Sequence, residues 1–120
     1  MAVYDLAHRL ARGIKDSDEY RTYSTLRKKI MDDEKTKEML LDFQKEQLKL
    51  QTKQLSGQEV TEEEKERFNK LREIVELNKN IKSYLDAEYR VGVLLNDIQR
   101  ILFSDLEIGI PKEEKKHPDQ

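Results

Sequence analysis

The sequence predicts an all-α fold, an elongated bundle of about five helices with a long helical hairpin and a long C-terminal helix. Three observations lead there. Apolar residues recur every third or fourth position along most of the chain, the spacing of one helix face. Residues 32–61 read as a long helix, a reversal at Ser56-Gly57 and the capped start of a second helix. Charged residues make up 40% of the chain and hydrophobic residues 36%. That balance suits helices that each bury one narrow stripe and solvate the rest. With 120 residues the chain is one domain at most. The expected division is a helical domain over 1–108 and a disordered tail over 109–120.

In the first helix Val3, Leu6, Ala7, Leu10, Ala11 and Ile14 follow helical spacing. Gly13 stands where a left-handed closing residue is useful. Asp16 and Glu19 form a capping-box pattern for a second helix, whose apolar face is Tyr20, Tyr23, Leu26 and Ile30. Asp32 and Asp33 interrupt that pattern and suit the positive end of a third helix.

The third helix carries Met39, Leu40, Leu41, Phe43, Leu48, Leu50 and Leu55, but its stripe thins after Phe43. Gln44, Gln47, Gln51 and Gln54 begin there, spaced 3, 4 and 3, so they share one helix face. They are either a solvated face of good helix formers or a polar seam against another helix or chain, whose amides would need partners. With Phe43 they form the candidate interaction surface.

Gly57 closes the third helix, and Thr61 with Glu64 makes an S/T-x-x-E start for the fourth. Glu62 and Glu63 add negative charge at the same helix end. Glu63–Arg67 and Glu66–Lys70 are four apart in the favourable order, worth a few tenths of a kcal/mol each. From Phe68 the stripe runs through Leu71, Ile74, Leu77, Ile81, Leu85, Val91, Leu95, Ile98 and Leu102. Asn78-Lys79-Asn80 either breaks or kinks it, with Asn78 available as a cap. A single helix over 78–106 is about 43 Å long. It overhangs a compact domain of this size, whose radius of gyration is ~14 Å. The overhang predicts a homodimer, self-associating through Ile81, Leu85, Val91, Leu95, Ile98 and Leu102. Gly92 inside that helix costs about 1 kcal/mol relative to alanine. Close approach of another helix would offset the cost; otherwise it is simply tolerated.

Composition removes several function classes. The chain has no cysteine, hence no disulfide, thiolate metal site or cysteine nucleophile. This fits the reducing cytoplasm, the expected location. The net charge of −2 gives no field that draws nucleic acid or an anionic membrane. Arg27-Lys28-Lys29 reads as a solvated helix end. No apolar run reaches the ~18 residues of a membrane span, and no signal-peptide core opens the chain. His8 and His117 are the only histidines, and no H-E-x-x-H, Glu-x-x-His, G-x-S-x-G, P-loop or G-x-G-x-x-G occurs. The acidic clusters at 32–34 and 62–64 sit at helix starts, where capping explains them. No catalytic residue, metal or cofactor is therefore expected.

Two alternatives bear on function. Ala7-His8-Arg9-Leu10-Ala11-Arg12-Gly13 is similar to the Ala-His-x-Leu-Lys-Gly motif of histidine phosphotransfer domains. Here the glycine stands five rather than four after His8, about 100° further round the helix, and Arg12 takes the fourth place. A prefoldin-like holdase is the other, but its arms would need apolar tips, whereas Ser56-Gly57-Gln58-Glu59 is polar.

Residues 36–64, TKEMLLDFQKEQLKLQTKQLSGQEVTEEE, resemble the YlbF/YmcA/YheA family of small bacterial helical proteins, in particular its YheA-like branch. Asp42-Phe43, Gln47, Gln51 and Gly57 match its hairpin pattern, and IKSYLDAEYR over 81–90 is a second match. The family often has Asn-Pro just before this second segment, where this chain has Asn78-Lys79. The resemblance spans about 3–106 and implies an all-α bundle of about five helices, commonly oligomeric. It also implies a regulatory adaptor role. Relatives in Gram-positive bacteria act in competence, sporulation and biofilm formation, and as partners of ribonuclease Y in RNA processing. Some carry cysteines linked to iron–sulfur clusters, a cofactor not carried over to this cysteine-free chain. The expected function is thus a non-enzymatic helical interaction or adaptor protein that self-associates and binds other proteins.

Overall fold

The structure, a computed structural model, describes residues 2–108. The tail expected over 109–120, with Gly109, Pro111 and His117, lies outside the described residues. Five helices follow in order: α1 (Val3–Lys15), α2 (Asp18–Met31), α3 (Glu34–Leu55), α4 (Glu62–Glu76) and α5 (Lys79–Phe103).

Each joint has a side-chain cause. Ser17, not Asp16, starts α2: its hydroxyl accepts from the Tyr20 N–H at 3.2 Å and donates to the Ile14 carbonyl at 2.7 Å. One side chain therefore ends α1 and begins α2, and the Asp16–Glu19 box is displaced by one residue. Gly13 lies inside α1, and among the described residues only Gly57 has a positive φ. Asp33 takes the extended backbone of a helix N-cap, and its carboxylate accepts from the Thr36 hydroxyl at 2.9 Å rather than from a backbone N–H.

At the far end of α3 the Gln58 N–H bonds the Lys53 carbonyl and the Gly57 N–H bonds that of Gln54. This paired closure needs a left-handed residue, and Gly57 at φ 79° supplies it. Thr61 and Glu64 then cap α4 reciprocally, as expected. Asn78 breaks the chain between α4 and α5, its side chain accepting from the Ile81 N–H at 3.0 Å. Within α4 the ion pair formed is Glu62–Lys65, not Glu63–Arg67 or Glu66–Lys70. It is exposed and worth little.

The core is small and lies where four helix ends meet. Ile30 ends α2, Leu40 and Phe43 stand in the first half of α3, Val75 ends α4, and Ile81 and Tyr84 open α5. The packed pairs are α2 with α5, α3 with α4, α2 with α3, and α4 with α5, which closes a ring of four neighbours. Tyr23 stacks obliquely on Tyr84 at 5.3 Å between centroids, with their hydroxyl oxygens 3.4 Å apart. Burial, then the Tyr23 hydroxyl, pushes the Tyr84 phenol well above its ordinary range.

The phase of the stripe differs from the expectation after Leu71. Val75 is fully buried, whereas Ile74 and Leu77 are 53% and 85% exposed. The break at Asn78 resets the helical phase, so α4 and α5 do not share one continuous stripe. On α5 the buried set is Ile81, Tyr84 and Ala87, which places Ile81 in the chain's own core. The molecule is elongated, 49 × 37 × 22 Å with a radius of gyration of 19.0 Å, against ~14 Å for a compact domain of this length.

Across the hairpin, Lys53 of α3 donates to Glu64 of α4, the only ion pair among the described residues that joins two helices. Lys53, and then the Thr61 N–H, hold the Glu64 carboxyl down from the ordinary 4.5 to about 2. A depressed carboxylate adds stability that is complete above pH 4.5 and is lost as pH falls toward 2. Thermal unfolding across that window is therefore expected to fall more steeply for the wild type than for Glu64→Gln. Equal slopes would remove the pair from the arm's stability. For the core, Leu40→Ala is expected to cost about 2–5 kcal/mol in denaturant unfolding. Leu55→Ala, at a site 89% exposed, should stay within about 0.5 kcal/mol.

Candidate interaction surface

The hairpin arm of α3 and α4 displays the glutamine face. Phe43 is not part of the accessible surface: it is 5% exposed and stacks on Phe68 at 5.4 Å between centroids. Gln44 is half-buried beside it, and Gln47, Gln51 and Gln54 are exposed. The covered side of α3 beyond Phe43 runs instead through Glu46, Leu50 and Lys53. That line lies one residue, about 100°, from the glutamines. The glutamines are thus not the seam between α3 and α4. They are an open polar face beside it, whose amides are free to bind water or a partner.

A second surface lies at the other end of the molecule. α1 has a strongly one-sided apolar face but no buried residue, and its substantial packing is against α2. Val3, Tyr4, Leu6 and Leu10 are exposed, and Ile14 is half-buried at the joint. On distal α5, Val91, Leu94 and Ile98 are half-buried, while Leu95 and Leu102 are exposed. Of the expected self-association stripe, Ile81 and largely Leu85 are occupied inside the chain, and the segment from Val91 to Leu102 remains partly open. A Cβ at Gly92 would meet no other atom within 4 Å, so no helix among the described residues packs closely on it. Sequence reasoning did not single out α1 as a surface. Its periodicity gave a helix, but only the fold shows that nothing among the described residues covers its apolar side.

Reactive chemistry is sparse. His8 is exposed on α1, outside the four-helix ring, with Arg12 one turn further on. Among the described residues no group of three His, Asp or Glu side chains could hold a metal ion. A groove between α2 and α5 is lined by Asp18, Arg21, Leu26, Asp86, Ala87 and Arg90 among others. No helix of the described residues is long and apolar enough to cross a membrane.

Residues 3–107 match the family described as "Control of competence regulator ComK, YlbF/YmcA". A UPF0342 protein of Halothermothrix orenii is 63% identical over 96% of this chain and 98% of its own length. Another, from Symbiobacterium thermophilum, is 38% identical over 91% and 97%. A third, from Bacillus pumilus, is 36% identical over 92% and 96%. Among solved structures, a protein of unknown function (DUF964) from Bacillus stearothermophilus superposes with a TM-score of 0.75, covering 97% of this chain and 98% of that one. At 20% identity this likeness shows the all-α fold alone. The match over nearly the whole chain, together with relatives this similar, makes the chain a member of the YlbF/YmcA family.

Proposed function

We propose that this chain is a non-enzymatic adaptor of regulatory type, which self-associates and presents its hairpin arm to other proteins in the cytoplasm. The observation that carries the reading is uncovered surface. The accessible area is 9917 Å². A compact monomer of this mass exposes ~6,800 Å². The difference is several times the ~800 Å² that a standard interface covers on each partner. Apolar faces on α1 and distal α5 make up part of it. The family's description, control of a competence regulator, supports a regulatory rather than a metabolic role.

The glutamine face suits a protein partner. Exposed amides offer donors and acceptors without the desolvation cost of charge. The reading assigns it to heterologous binding and the apolar faces to self-association. Light scattering at micromolar concentration is expected to give twice the chain mass of 14.3 kDa. A compact monomer would contradict the self-associating half of the reading. Gln47→Glu with Gln51→Glu should leave helicity and mass unchanged. In a pull-down from the native cell read by mass spectrometry, at least one bound protein should fall by about tenfold or more, or ~1.4 kcal/mol. An unchanged bound set would assign this face to solvent.

A further inference from the structure

We propose that α1 of one chain packs against residues 91–108 of a second copy, and the reverse, in a two-fold exchange; this rests on the self-associating reading above. The topology sets it up. α2 and α5 run antiparallel, since Asp18 shares a groove with Arg90 while Tyr23 lies on Tyr84. α5 beyond Arg90 therefore continues past the start of α2, at the end of the molecule where α1 turns off at Ser17. Helix α1 and the 91–103 part of α5 are equally long, about 20 Å each. Each carries an apolar face left open among the described residues: Leu6 and Leu10 on the first, Leu95 and Leu102 on the second.

Charge decides between copies. Helix α1 holds Arg9, Arg12 and Lys15 against Asp5 alone. Residues 91–108 hold Asp97, Asp105 and Glu107 against Arg100 alone. The two segments are thus opposite in sign, and both charges gather toward the C-terminal end. Folded back along its own α5, α1 would set Lys15 beside the uncharged start of the segment and Val3 beside the acidic end. With the two-fold axis perpendicular to α5, the two α5 segments run antiparallel, so the acidic end of one reaches the base of the other. There it meets the basic end of the partner's α1. The contact is self-complementary, as an isologous dimer requires.

Two charge-reversed variants test this: Arg9→Glu with Arg12→Glu, and Asp105→Lys with Glu107→Lys. No buried residue comes from α1, so the fold should survive, and far-UV circular dichroism checks it. In sedimentation velocity at low salt, each variant alone should dimerise at least ~10-fold more weakly than the wild type. Mixing the two should restore a heterodimer to within about threefold of wild-type affinity, because each reversed arm then faces a reversed partner. Variants that dimerise as tightly as the wild type would overturn the exchange while leaving self-association standing. Weakened variants that fail to restore one another would overturn the pairing in trans. A wild-type monomer throughout the concentration range would overturn the self-associating reading itself.

Discussion

Ile30, Leu40, Phe43, Val75, Ile81 and Tyr84 can meet only because the chain stops two helices abruptly, around Asp32-Asp33 and around Leu77-Asn78. Without those stops, α2 with α3 and α4 with α5 would be two long rods with no common centre. Capping is what permits each stop: Asp33 and Asn78 take extended backbone, and the Asn78 side-chain oxygen replaces a missing helical acceptor for Ile81. The apolar content is too low for a core along the full helices, so burial is concentrated at these joints. Everything else in the architecture radiates from that centre.

Two arms result, and they differ in kind. The hairpin arm is closed by polar devices: Gly57, the Thr61–Glu64 box and the Lys53–Glu64 pair. The end formed by α1 and distal α5 carries exposed apolar faces that nothing among the described residues closes. A polar arm is stable as a monomer's surface; an apolar one gains about 25 cal/mol for each Å² it covers. The same sequence economy thus yields one polar arm and one end with exposed apolar faces. Regions far from the core, with few buried contacts, are also the first to open.

Much of this was legible in the residues. Caps were the clearest signals, because each is a local pattern with one physical purpose: Gly57, Thr61 with Glu64, and Asn78. Ser17 was missed because Asp16 offered an equally good cap one residue earlier. Burial phase was harder. The apolar stripe through Ile74 and Leu77 is continuous in sequence, yet Asn78 resets the helix and Val75 takes the buried place. On α3 the covered side runs through Glu46 and Lys53, which no apolar pattern reveals; Lys53 is understood only through Glu64, eleven residues away across the turn. The family was readable from the hairpin residues. The candidate surfaces were only half readable, because they are defined by what folding leaves uncovered rather than by reactive side chains.

One small centre holds the fold, and in the proposed exchange the α1 and distal α5 end is completed by another copy. Amide hydrogen exchange measured over a dilution series tests it most directly. Amides of α2, proximal α3 and proximal α5 around the core are expected to keep their protection at every concentration. Those of α1 and of 91–103 should be protected at high concentration and lose protection on dilution. Protection of α1 and 91–103 that does not change with concentration would contradict it.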